Sequence, residues 1–326
     1  MTPSRLTQYV HTRYFGVGVG MLAFIAACIY FIGGYCTEVL GEKGLALPSA
    51  NEWISTPFVD FVAGIAGAAI TATIMLFLCN VHNVLRSISS LYMALYAFMQ
   101  LATPDLYTQF YTGTLLAMVV PLCIFLLFSC YHEPDSTKLV FVIFLILSFL
   151  AATQYCFIFY IPAFLIGLGL MRILNIRSII AALLGIITPW WILFGFGLIN
   201  PTDVHMPTFA SIFSIIDYEE TFMLLITIGV TVFIMFSCYM LNLMKTIAYN
   251  AQARAINGTF SVVSLITVVS MCIDYHNIIS YVPLLNFCAA KETTHYLSTH
   301  RADKSFIVVY FILAFYATMF VCQSII

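Results

Sequence analysis

The chain has 326 residues, of which 62% are hydrophobic and only 8% are charged. About a quarter of the residues in an average soluble domain are charged, and a soluble fold needs polar side chains to cover its surface. The composition therefore excludes a water-soluble globule and predicts an all-α, polytopic transmembrane helix bundle. The formal net charge of −2 excludes a basic surface for nucleic acid. The apolar composition makes the lipid bilayer the expected environment and partner.

Eleven apolar runs predict membrane segments, because about 20 apolar residues span the roughly 30 Å hydrocarbon core of a bilayer. In chain order the runs are Tyr14–Tyr35, Pro57–Cys79, Ser89–Thr103, Tyr111–Cys130, Leu139–Gln154, Phe157–Leu170, Ser178–Leu198, Phe222–Leu243, Phe260–Ile273, Ile278–Ala290 and Phe306–Ile325. The shorter runs leave two alternatives open. Residues 139–170 are compatible with a tight helical hairpin, and residues 260–290 with two crossing helices or a re-entrant hairpin. We treat residues 1–326 as one integral membrane domain.

If all eleven runs cross the membrane, basic and acidic residues fall mainly on opposite sides of it. Lys and Arg accumulate in cytoplasmic loops. With the N-terminus in the cytosol, every basic residue except Lys43 falls on the cytoplasmic side, and most acidic residues fall outside. The basic residues predicted on the cytoplasmic side are Arg5, Arg13, Arg86, Lys138, Arg172, Arg177, Lys245, Arg254, Lys291, Arg301 and Lys304. The sorting predicts a cytoplasmic N-terminus and an outer C-terminus. We expect the bacterial inner membrane, because no eukaryotic targeting signal is evident.

Two further patterns describe contacts at the membrane surface and between helices. Apolar residues between 207 and 217 recur at i, i+3, i+4 and i+7, which favours a short helix on the outer membrane face; an irregular loop is the alternative. Gly16-x-x-x-Gly20 and the small residues at 63–68 are typical of helix faces that pack closely in lipid.

Acidic residues near the outer face are the candidate catalytic groups. No ionisable side chain lies clearly at a predicted bilayer midplane, which disfavours a proton-coupled or ion-coupled carrier. Asp60 lies about one turn into the second run, where it is either a general base or a helix-start acid that suits a helix N-terminus. Glu38, Glu42 and Glu52 lie in the first outer loop and complete the candidate set.

Aromatic and basic residues are candidates for binding a substrate or a lipid. Pro189 is expected to kink its helix beside Trp190 and Trp191, which predicts either a cleft for a lipid or sugar or an aromatic interfacial anchor. Arg172 and Arg177 flank a predicted cytoplasmic turn, where they attract anionic lipid headgroups. A role in setting the topology explains the same two residues.

Asp274 and His276 flank Tyr275 at a predicted outer turn, where a carboxylate near an imidazole is suited to moving protons. A polar turn between two helices is the alternative. His295 and His300, near Glu292 on the cytoplasmic side, are too loosely spaced to predict a metal site. The ten cysteines are scattered, and we expect neither a metal nor a cofactor.

The stretch FIFYIPAFLIGLGLMRILNIRSIIAALLGIITPWWILFGFG, residues 157–197, is similar to a segment of uncharacterised bacterial polytopic inner-membrane proteins. It also resembles the region of GT-C glycosyltransferases in which two helices, joined by a basic cytoplasmic turn, lead to a Pro-Trp near the outer face. The resemblance implies a polyprenyl-phosphate sugar substrate and an acidic catalytic residue in or near the first outer loop. The chain lacks the paired acidic motif and the outer soluble domain of that family.

These features predict an envelope-biogenesis protein that handles a lipid-linked substrate, such as a polyprenyl-phosphate sugar, at the outer face. Two alternatives stay open. One is a non-catalytic membrane subunit of a larger complex, with membrane protein partners. The other is a transporter or flippase for a neutral or amphipathic solute. Whether the protein is an enzyme is not decided by its sequence.

Overall fold

The computed structural model describes residues 12–34, 44–85, 89–131, 133, 136–200, 202, 204, 219–247, 249–299 and 305–325. Those residues contain α-helices, short 3₁₀ turns and no β-strand. The predicted interfacial helix near residues 207–217 lies outside the described residues, and so do Glu38 and Glu42.

Twelve α-helices form from the described residues, and we number them in chain order. They are α1 Arg13–Ile32, α2 Pro57–His82, α3 Ser89–Leu101, α4 Pro104–Thr108, α5 Thr112–Ser129, α6 Thr137–Thr153, α7 Tyr160–Leu170, α8 Ile176–Gly195, α9 Glu219–Ile247, α10 Ala251–Ile273, α11 Ile278–Thr299 and α12 Ser305–Ile325. Three short 3₁₀ turns lie at Ala50–Glu52, Tyr155–Phe159 and Tyr275–Asn277.

Among the described residues, 7 helices are long and apolar enough to cross a membrane, namely α1, α2, α5, α8, α9, α10 and α12. Several of them turn large apolar side chains outward, as α1 does with Met21, Leu22 and Ile25. Such surface is unfavourable in water and favourable against lipid tails. The chain is therefore an all-helical, multi-pass membrane protein.

One end of the bundle collects the end of α1 and the starts of α2, α5 and α11. The Tyr30 hydroxyl donates to Asp105 in α4 at 2.9 Å. The Asp60 carboxylate, in the first turn of α2, accepts from the backbone N–H of Phe110 at 2.9 Å. Tyr111, just before α5, approaches the backbone of the first turn of α11. We call this the acidic end, because Glu52, Asp60, Asp105 and Asp274 lie there.

The opposite end collects the ends of α2, α5, α9 and α11. His82 and Ser129 meet there at 3.4 Å, and the Lys245 ammonium donates to the Thr299 carbonyl at 2.9 Å. We call this the basic end. The described basic residues that lie there are Arg13, Lys138, Arg172, Arg177, Lys245, Arg254 and Lys291. Glu133 and Glu292 lie there too, so the two ends differ in charge as the sequence predicts.

Helix α11 forms the centre of the bundle and packs on α3, α5, α9 and α10. It is buried along most of its 22 residues. The predicted run ended at Ala290, but the helix continues to Thr299 and carries Lys291 and Glu292 into the packed interior. The sequence contains no helix-breaking residue at this point, and Lys and Glu are good helix formers.

The two ambiguous regions are both resolved as consecutive helices. Residues 139–170 form α6 and α7, joined by the 3₁₀ turn Tyr155–Phe159. Residues 260–290 belong to α10 and α11, which have 23 and 22 residues and meet at Tyr275–Asn277. Helices of this length are about 33 to 35 Å long, comparable to the thickness of a bilayer core.

The predicted small-residue contacts are confirmed at three glycines. A methyl group added at Gly16 would come within 2.6 Å of the Ser90 carbonyl oxygen, so α1 and α3 touch there. Gly64 and Gly67 make similarly close approaches from α2 to the segment around the start of α5. At Gly20 nothing lies within 4 Å of the added carbon, so this residue makes no such close contact within the described part of the chain, and a contact with another subunit stays a prediction.

Candidate functional site

A buried ion pair lies near the basic end of α11. The Lys291 Nζ atom is 2.7 Å from Glu292 Oε1, and the two side chains are 2% and 3% exposed. It is the only ion pair among the described residues. Taking two charges out of water costs several kcal/mol per ion, so a pair at this depth needs good compensating contacts.

Helix α10 supplies compensating contacts to Lys291. The ammonium donates to Asn257 Oδ1 at 2.9 Å and lies 4.9 Å from the centre of the Phe260 ring, close enough for a cation–π interaction. Glu292 uses only Oε1 in this network. Its other oxygen, Oε2, has no hydrogen-bond partner within the described part of the chain.

Helix α9 is attached to the same region by a chain of polar contacts. The Asn242 amide donates to the Glu292 backbone carbonyl at 3.4 Å, and the Thr299 hydroxyl donates to Asn242 Oδ1 at 3.0 Å. Nearby, the Tyr249 hydroxyl lies 3.5 Å from the His295 ring nitrogen Nε2. Polar side chains of both α9 and α10 therefore contact the end of α11.

A groove opens between α9 and α10, because both helices pack on α11 but make few contacts with each other. Its polar part is a cavity of about 220 Å³. The residues lining this cavity are Tyr239, Asn242, Leu243, Arg254, Asn257, Gly258, Ser261, Lys291, Glu292 and His295.

An apolar cavity of about 300 Å³ adjoins the polar one. It is lined by Val232, Met235, Phe236, Tyr239, Ser261, Val262, Ser264, Leu265, Val268 and Glu292. Three residues, Tyr239, Ser261 and Glu292, line both cavities, so the two spaces form one groove that changes from polar to apolar along its length.

The side chains that line the polar part of the groove carry a net positive charge. The Lys291 and Glu292 charges offset each other, whereas the exposed Arg254 side chain has no hydrogen-bond or ion-pair partner among the described residues. An anionic group entering the polar cavity would meet the Arg254 guanidinium, which is suited to phosphate and carboxylate.

The structure separates Asp274 from His276. Asp274 is fully buried and accepts hydrogen bonds from Tyr155 at 2.6 Å and from Tyr281 at 2.8 Å. Asn277 completes this cluster by donating to the same carboxylate at 3.3 Å. His276 is exposed and not part of the cluster. Asp274 therefore links the α6–α7 turn to the α10–α11 turn, as a polar junction between helices.

Of the four candidate acids, the structure describes Asp60 and Glu52, and neither lines the groove between α9 and α10. The Asp60 carboxylate is engaged by the Phe110 backbone, and Glu52 is exposed at the end of its 3₁₀ turn. Next to Glu52, the Asn51 side chain accepts from the Thr112 backbone at 3.0 Å. These contacts attach the first loop and the start of α2 to the start of α5.

Trp191 lies on the surface of α8, whereas Trp190 is half-buried and packs on a small apolar cluster that includes Leu193. The Trp190 ring stacks on Phe194 with centroids 5.8 Å apart, and Trp191 is 72% exposed. A shallow groove of about 450 Å³ lies beside them. Its lining is Ile186, Ile187, Trp190, Trp191, Phe194 and Gly195, with no titratable side chain. This surface suits an aromatic contact with lipid.

Arg172 and Arg177 are both exposed at the basic end, but they differ in surroundings. Arg177 lines a surface groove together with Lys138, whereas Arg172 lies in the turn after α7, with a backbone φ of 60°. The sequence predicts the same surroundings for the two arginines, but in the structure only Arg177 lines this groove.

No family model, curated protein or solved structure matches this chain. No group of three or more His, Cys, Asp or Glu residues suited to a metal ion occurs among the described residues.

The sequence does not reveal the importance of Lys291 and Glu292, because they directly follow an apolar run and look like the start of a loop. One signal is present in the sequence. The residues that follow, Thr293 to His295, contain no Gly, Pro or Asn that would end the helix.

Proposed function

We propose that this protein binds a lipid-linked substrate with an anionic headgroup, and that the groove between α9 and α10 is the binding site. The observation that carries the proposal is the polar cavity beside Arg254 and Glu292, which continues into an apolar cavity. An amphipathic molecule likewise has a polar part joined to an apolar part. Ligand sites usually combine an apolar lining with a few polar groups that fix orientation.

Each part of such a substrate would have a counterpart among the side chains that line the groove. A phosphate would pair with Arg254 at the mouth of the polar cavity. Hydroxyl groups of a sugar would donate to Glu292 Oε2 and contact Asn257 or Tyr239. An apolar chain would follow α9 and α10 past Met235 to the far end of the apolar cavity. A polyprenyl-phosphate sugar has all three parts.

We further propose that the basic end faces the cytosol of a bacterium and that α4 is the only α-helix among the twelve that does not cross the inner membrane. The clustering of the described basic residues at one end supports this orientation. The N-terminus is then cytoplasmic and the C-terminus outside. The substrate groove opens near the cytoplasmic leaflet, rather than at the outer face that the sequence favours.

Glu292 is the residue that would take a catalytic role in an envelope-biogenesis enzyme, because it is the only carboxylate lining the groove among the described residues. A flippase would use the same groove for binding without a chemical step. Retention of in vivo function by Glu292→Gln, which removes the carboxylate, combined with loss of function in Arg254→Gln would favour the flippase. In a non-catalytic subunit, the groove would hold a structural lipid instead.

Binding of farnesyl phosphate, with farnesol as the uncharged comparison, tests the proposal on the purified full-length protein in nanodiscs. We expect the wild type to prefer the phosphate, and Arg254→Gln to weaken its binding about tenfold, the loss of one charge-assisted contact. Ser261→Phe should abolish binding of both probes, because the ring would fill the junction of the two cavities.

Thr73→Phe is the matched control for the blocking variant. Ser261 and Thr73 both donate to the carbonyl four residues earlier in their helices, but Thr73 is exposed on α2, away from the groove. Thr73→Phe should bind both probes like the wild type. Unchanged binding in Ser261→Phe, or equal loss in the two variants, would reject the groove as the site.

A further inference from the structure

A second groove lies at the basic end between the first turns of α6 and α8. These two helices run parallel, and the groove between them has a volume of about 540 Å³. Its lining residues are Thr137, Lys138, Phe141, Val142, Arg177, Ile180, Ala181 and Leu184. The two cations lie toward the helix starts, and the remaining lining is almost entirely apolar.

A glycine sets the depth of this groove. At Gly185 the two helices are in close contact, since an added methyl group would come within 2.7 Å of the Phe141 carbonyl oxygen. One turn closer to the basic end, the small side chain of Ala181 leaves space between α6 and α8. The groove therefore has a closed apolar floor and opens toward the charged end.

The positions of Lys138 and Arg177 at the starts of their helices are not explained by a contribution to helix stability. Lys138 and Arg177 are each the second residue of a helix, where the positive end of the helix dipole disfavours a cation. Both side chains are exposed, and neither has a hydrogen-bond or ion-pair partner in the described part of the chain. An anion between them would be favoured by both side chains.

We propose that this groove binds one anionic phospholipid from the surrounding leaflet, with its phosphate between Lys138 and Arg177 and an acyl chain on the apolar floor. Charge complementarity and the division between charged mouth and apolar floor identify the occupant as a lipid. The proposal is independent of the substrate site, because the two grooves share no lining residue.

Native mass spectrometry of the full-length protein, released from nanodiscs of mixed phosphatidylglycerol and phosphatidylcholine, tests the inference. The wild type should retain phosphatidylglycerol selectively. The double variant Lys138→Gln/Arg177→Gln should lower that selectivity about tenfold, since each basic side chain contributes to the attraction. The substitutions are at exposed positions, so an unchanged melting temperature is expected and serves as the folding check.

Arg172→Gln is the matched control, because Arg172 is exposed at the same end but does not line the groove. It should retain phosphatidylglycerol like the wild type. Unchanged selectivity in the double variant, or an equal loss in Arg172→Gln, would overturn the proposal. Displacement of the retained lipid by soluble glycerol phosphate would also contradict the proposal, because the acyl chain would then contribute nothing to binding.

Discussion

Lys291 and Glu292 are consecutive residues of α11, yet their side chains meet at 2.7 Å in the interior of the bundle. Neighbouring residues of a helix point about 100° apart and do not normally face each other. The contact forms here because both side chains converge on the space between α9 and α10, where Asn257 and Phe260 hold the Lys291 ammonium.

Removing one member of this pair should destabilise the protein far more than removing both. Lys291→Met leaves a buried carboxylate and Glu292→Leu leaves a buried ammonium, and each should cost about 3 to 5 kcal/mol. The double variant should recover most of that loss. Unfolding of the purified variants in detergent measures the effect, and additive losses in the double variant would argue against a coupled pair.

The Asp274 cluster should stabilise the junction between the α6–α7 and α10–α11 turns. Tyr155→Phe removes a hydrogen bond of 2.6 Å to a fully buried carboxyl group and should cost about 1 to 3 kcal/mol. Tyr14→Phe is the control, since Tyr14 is exposed on α1. Equal melting temperatures for the two variants would contradict the junction.

Two glycines of α1 should respond in opposite directions to substitution by Ala. Gly16→Ala should destabilise the bundle, because the new methyl group would clash with the Ser90 backbone. Gly20→Ala meets no atom within 4 Å and should be neutral or stabilising by up to about 1 kcal/mol, the gain in helix propensity. Thermal unfolding in detergent compares the two, and the same loss in both would contradict the α1–α3 contact.

The proposed orientation predicts the response of topology reporters. A fluorescent protein fused after Leu174, in the turn between α7 and α8, should be fluorescent because that turn is cytoplasmic. Alkaline phosphatase fused after Asn200, beyond α8, should be active because that position is outside. The reversed pattern would place the basic end outside and contradict the positive-inside assignment.

The helical architecture is largely predictable from sequence, because apolar runs and small residues act locally. Long runs such as Pro57–Cys79 match helices within a few residues, and Gly64 and Gly67 lie at the contacts that small residues favour. The separation of basic from acidic residues also appears in the fold, since it follows from where each helix begins and ends.

The candidate site is less predictable, because it depends on contacts between distant segments. Asn257 lies 34 residues before Lys291, and no local pattern relates the two. The position of Asp60 in its helix is predictable from the sequence, but its contact with the backbone of Phe110, 50 residues away, is not. In the same way, only the packing of α6 on α8 distinguishes Arg177 from Arg172.

Photo-cross-linking shows directly whether the α9–α10 groove holds an amphipathic anion. A prenyl phosphate carrying a diazirine on its chain would be bound to the full-length protein in nanodiscs and irradiated, and the labelled peptides would be mapped. We expect labelling of residues 232–239 and 261–268, which excess farnesyl phosphate should suppress and Ser261→Phe should abolish. Labelling of other helices, with these two segments unlabelled, would contradict binding in this groove.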